Sequence, residues 1–116
     1  MPSIAATHAA DHADTKALLL AMLADFGGLN GSATWNAASI ADGDMESKDI
    51  TVEGAVIGDF VVASMGVDVT DLVVSAQVTA ADTVTVTLAN NTGGAVDLAS
   101  TTVRVRVFPK TLTVTA

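Results

Sequence analysis

The chain has 116 residues, half of them hydrophobic, and 5 Lys+Arg stand against 13 Asp+Glu for a formal net charge of -8. That length predicts one domain able to bury roughly 65% of its unfolded surface, and the apolar content excludes a mainly disordered chain. The acidic balance argues against a binder of the phosphate backbone, which needs a basic face, so no nucleic-acid partner is expected.

Residues 1–10 are small and read as an extended arm. His8 and His12 would share one helix face with Asp11 beside them, a possible divalent-metal pair. A closed site needs further ligands, so exposed arm histidines are the preferred reading and no metal is expected. A helix is predicted from Asp11 or Asp14 to Asp25 or Phe26, with Gly27-Gly28 as its stop. Lys16 before Leu18-Leu19-Leu20-Ala21-Met22-Leu23 invites comparison with a signal peptide. Asp11 and Asp14 stand where positive charge belongs and the apolar run ends at Asp25, so the segment is expected in the mature protein. No run approaches the ~20 residues of a membrane span, and no membrane partner is expected. The helix's apolar positions wrap around more than one face, so it needs cover from the body or from copies of itself. Leu19, Met22, Leu23 and Phe26 could line a small bundle seam and are candidate partner-binding residues, although fewer than two heptads cannot specify an oligomer number. Residues 1–30 are therefore set apart as an arm and short helix for attachment or trimerisation.

The alphabet then changes. All sixteen valines and twelve of the fifteen threonines lie after Asp49. β-branched residues fit the pleated surface of a sheet better than a helix, so residues 31–116 are expected to form an all-β domain. Ile50-Thr51-Val52-Glu53 reads as a short strand. Phe60-Val61-Val62-Ala63-Ser64-Met65 is apolar on both faces, as expected of a central strand. Val74, Ala76 and Val78 alternate with Ser75, Gln77 and Thr79; Val84, Val86 and Leu88 with Thr83, Thr85 and Thr87; Val103, Val105 and Val107 with Thr102, Arg104 and Arg106. Each is a period-2 strand with one buried face. Leu112-Thr113-Val114-Thr115 reads as a last short strand. Gly54, Ile57-Gly58-Asp59, Gly66, Ala81-Asp82 and Asn90-Asn91-Thr92-Gly93-Gly94 supply the turns. The fold class expected is mainly β, an antiparallel β-sandwich of jelly-roll type preceded by the N-terminal arm and short α-helix.

Catalytic groups are scarce. There is no cysteine, so no disulfide, thiolate zinc site or Cys nucleophile is possible, and both histidines lie in the arm. Asp42-Gly43-Asp44-Met45-Glu46 has the look of a calcium loop, but Lys48 follows and the ligand spacing fails, leaving a solvated acidic loop. A carboxylate pair for glycoside chemistry is not placed across any recognisable cleft, and no phosphate loop is present. No enzyme and no cofactor are expected. Trp35, the single tryptophan, is a candidate ligand-stacking or partner residue, although a lone Trp more often fills a core edge or an interface. Arg104 and Arg106, the only arginines, project from one strand face. They are candidate partner contacts, with an intrachain pairing to Asp or Glu on a neighbouring strand the preferred reading. Asn30-Gly31-Ser32 and Asn90-Asn91-Thr92 match the glycosylation acceptor pattern, to which no significance is attached without a secretory signal.

Three stretches carry a resemblance: Gly58-Asp59-Phe60 through Ser64, Leu72-Val73-Val74-Ser75-Ala76-Gln77-Val78 through Asp82-Thr83-Val84-Thr85-Val86 to Asn90, and Asn91-Thr92-Gly93 through Val103-Arg104-Val105-Arg106-Val107. Over about residues 50–108 the chain resembles a β module of tailed-bacteriophage structural proteins, of the head-decoration and head-fibre type and shared with tail fibres. The shared pattern concerns turns and strand faces and transfers no catalytic residue. The resemblance implies an accessory virion protein on the exterior of the capsid, made in the host cytoplasm. It implies a homotrimer whose partners are its own copies and the major capsid protein or another virion protein. The alternative is a tail-fibre or secreted receptor- or glycan-binding module, reading its ligand with loops near Trp35 and Asn90–Gly94. The thin supply of aromatic rings counts against it.

Overall fold

The computed structural model describes residues 28–111. The predicted arm, the helix and the strand at 112–115 lie outside the described residues. Eight strands follow in order: β1 (Leu29–Trp35), β2 (Ser39–Ile40), β3 (Met45–Thr51), β4 (Phe60–Met65), β5 (Val73–Ala80), β6 (Thr83–Ala89), β7 (Val96–Asp97) and β8 (Thr101–Phe108). Among the described residues there is no helix, and every strand pairing is antiparallel. One sheet has the order β1-β8-β4, another β3-β6-β5, and β2 pairs with β7 in a two-stranded ribbon.

The two central strands are those with the cleanest alternation. Val84, Val86 and Leu88 of β6 and Val103 and Val107 of β8 are fully buried, and Val105 nearly so. These side chains belong to one hydrophobic cluster, joined by Trp35, Ile40, Ile50, Val52, Leu72, Val78 and Leu98. Burying a valine of this kind contributes about 1.5–3 kcal/mol relative to leaving it in water, so these two short rows are a large part of what holds the fold. β4 lies beside β5 and β1 beside β3. At the second of these approaches Gly31 faces inward, and a Cβ added there would come within 2.6 Å of Val52 Cγ2 and 3.1 Å of Ile50 Cγ2. Glycine is needed at that position because the side chains of Val52 and Ile50 occupy the space another side chain would fill.

Turns are fixed by side chains that bond backbone. Between β5 and β6 the two-residue turn Ala81-Asp82 places Asp82 at φ 61, a left-handed conformation that Asp tolerates. The Asp82 carboxylate accepts from Gly54 N–H at 2.8 Å, while its own backbone bonds Val52 and Ala55. Asp59 accepts from Val56 N–H at 3.1 Å and from Lys110 N–H at 3.0 Å, tying the turn before β4 to the chain leaving β8. Asn90 is fully buried: its amide donates to the carbonyls of Ile40 and Gly94, both at 2.8 Å, and its Oδ1 accepts from Thr92 N–H and Oγ1–H. Every polar capacity of that side chain is thereby used to join two loops.

Three expectations about elements need correction. β4 was expected at the centre of a sheet and is an edge strand; its second apolar row is uncovered, with Phe60 at 65% and Val62 at 60% exposure. The strand expected at residues 50–53 begins earlier, at Met45, because β6 offers a full-length partner, and it ends at Thr51, so Val52 and Glu53 lie in the turn that follows. The β region also starts before residue 31: Leu29 pairs with Val107 and Asn30 with Arg106.

Candidate docking face

β8 carries the site. Its inward residues belong to the core, so the alternation forces Arg104, Arg106 and Phe108 onto the outer face. The register sets their neighbours: Asn30 and Val62 flank Arg106, Ser32 and Ser64 flank Arg104, and Phe60 stands opposite Phe108. These residues surround an open groove of about 600 Å³, floored by Gly31, Ala63 and Val105. The only exception to the lining is Phe60, which continues the apolar end beyond it.

The electrostatics follow from what the strands lack. β1, β4 and β8 contain no Asp or Glu, although the chain as a whole carries thirteen. The sheet therefore presents two guanidinium groups on a protein of net charge -8. An intrachain carboxylate partner was the preferred expectation for these arginines, and the cross-strand neighbours are instead Asn30, Ser32, Val62 and Ser64. Arg106 Nε donates to Asn30 Oδ1 at 2.8 Å. That bond is charge-assisted and fixes the plane of the guanidinium.

The β3-β6-β5 sheet presents a different exposed face. Thr85 Oγ1 donates to Asp49 Oδ1 at 2.7 Å and lies 2.7 Å from Thr79 Oγ1. A hydroxyl has one proton, so Thr79 is the donor to Thr85 and the three groups form a directed chain. Ser47 and Thr87 hydroxyls bond one another beside it at 2.9 Å. The polar groups of this surface bond one another, and at one end exposed Met45 and Val73 flank Ala89; it carries no arginine.

The remaining candidates sort clearly. Trp35 is only 6% exposed and joins the core cluster, so its ring is not presented to a ligand. As the last residue of β1, opposite Thr101, it falls on the inward side of the alternation. Leu19, Met22, Leu23 and Phe26 lie outside the described residues, as do His8 and His12. In the acidic loop Asp42 accepts from Gly93 N–H and Asp44 from Met45 N–H, so both act as turn braces. Among the described residues no group of three or more His, Cys, Asp and Glu is placed to hold a metal ion. The Asn90 amide is buried and committed to carbonyls, which removes it as a glycosylation acceptor. The groove's apolar end, Phe60 with Phe108, was not singled out from the sequence; the signal available was Phe108 continuing the Arg104-Arg106 row at period 2.

No family model, curated protein or solved structure matches the chain.

Proposed function

We propose that the chain is a non-enzymatic structural protein that docks onto a larger assembly through the outer face of β1, β8 and β4. The observation that carries this reading is that Arg104 and Arg106 share one face with exposed Phe60 and Val62, Val62 directly beside Arg106, on a sheet free of carboxylates. An apolar patch with guanidinium groups at its centre is the composition of a protein-docking surface: arginine and aromatic residues are enriched at interface cores and lysine is depleted. The two three-stranded sheets are read as the layers of a jelly-roll-like β-sandwich, since their inward rows share one cluster.

The resemblance over about residues 50–108 supplies the assembly: a tailed-phage capsid, bound from outside by a homotrimer in the manner of a decoration or head-fibre protein. Binding only to the assembled lattice stabilises it by mass action. Three copies about an axis would cover sheet edges that a single copy leaves open. Added to purified, decoration-free capsids, the full-length chain should bind saturably and raise their melting temperature. Light scattering on the free protein should give a mass near three chains. Absence of binding at saturating concentration would remove the capsid from this reading, and a monomeric mass would remove the trimer.

A further inference from the structure

We infer that the groove takes an extended acidic polypeptide segment with the side-chain order acid-x-acid-x-apolar. The inference deepens the docking reading by naming the chemistry of the partner and rests on that reading for the face itself. Arg104, Arg106 and Phe108 stand in one outward row at alternate positions of a single strand. Their Cα spacing is about 6.8 Å per step, the spacing at which an extended peptide repeats its side chains on one face. A peptide laid along β8 in the same chain direction places its first two alternate side chains over the guanidiniums and its third over the Phe108–Phe60 pair.

Charge and geometry select the class of partner. The row has two cations and then an aromatic end, too few charges to neutralise a run of phosphates, which disfavours nucleic acid. The Arg106–Asn30 bond occupies Nε and keeps the terminal nitrogens for a carboxylate, so that guanidinium is already oriented before a ligand arrives. Ser32 and Ser64, on either side of Arg104, add hydroxyls that can donate to the same carboxylates. The apolar wall of Val62 and Phe60 gives the segment's third residue a dry contact.

The test is fluorescence anisotropy of the full-length protein with the labelled peptide Gly-Asp-Thr-Asp-Thr-Leu-Gly. A second peptide, Gly-Asp-Asp-Thr-Thr-Leu-Gly, has the same composition with its carboxylates on opposite sides of an extended chain. The first peptide should bind at least about tenfold more tightly than the second, and raised salt should weaken it. Arg104→Gln with Arg106→Gln should abolish the difference while leaving the unfolding midpoint in place, because both side chains are exposed. Arg104→Lys with Arg106→Lys keeps the charge and should recover only part of the affinity. Equal binding of the two peptides overturns the inference. So does tighter arginine-dependent binding of a single-stranded oligonucleotide. Arginine-dependent capsid binding without peptide binding would leave the docking face standing and overturn the acidic segment; peptide binding without capsid binding would do the reverse to the virion reading.

Discussion

Arg106 Nε and Asn30 Oδ1 meet at 2.8 Å across the β1–β8 pair, joining an exposed cation to an amide that cannot neutralise it. The arrangement orients charge without cancelling it, which is what separates this face from one stabilised by ion pairs. Asn30→Ala removes the brace and leaves the charge. Chemical denaturation should place its stability within about 0.5 kcal/mol of the parent, as for other exposed sites. Capsid affinity should nonetheless fall severalfold.

Asn90 is the opposite case, a polar side chain with no exposure and four hydrogen bonds. Asn90→Ala leaves the Ile40 carbonyl without this donor in a buried setting. We expect a loss of about 2–4 kcal/mol in urea unfolding, since each buried group left unpaired costs about 1–3 kcal/mol. Asn90→Asp should be at least as damaging, because a carboxylate would face two carbonyl oxygens.

The close approach of β1 and β3 gives a steric prediction. Gly31→Ala places a Cβ 2.6 Å from Val52 Cγ2, too close for two carbon atoms, and should cost about 1–3 kcal/mol. Combining it with Val52→Ala should cost less than the sum of the two single changes, which a double-mutant cycle in thermal unfolding measures.

On the far sheet, Thr85→Val keeps the shape and removes the hydroxyl that links Thr79 to Asp49. A loss of about 1 kcal/mol is expected, with capsid affinity unchanged. A large drop in affinity would move the docking surface to that side of the protein.

The strands that were legible in the sequence are those whose own alternation matches their burial: β5, β6 and β8. β1 was not legible because Leu-Asn-Gly-Ser-Ala-Thr-Trp holds one β-branched residue, and it is a strand because β8 offers it seven pairing partners. β2 and β7 are two-residue elements, too short for any period to register. β4 misled for a physical reason: two apolar rows signal burial on both sides, and here the outer row is a groove wall. The arginine pair was legible as a shared face through period 2. Its neighbours were not, because Asn30 and Ser64 are brought beside Arg106 and Arg104 only by pairings distant in sequence.

Docking through Arg104 and Arg106 is tested most directly by titrating the parent and the Arg104→Gln/Arg106→Gln variant onto decoration-free capsids and following bound protein by sedimentation. The parent should bind saturably and the variant should lose about tenfold or more in affinity. Identical isotherms for the two proteins would contradict it.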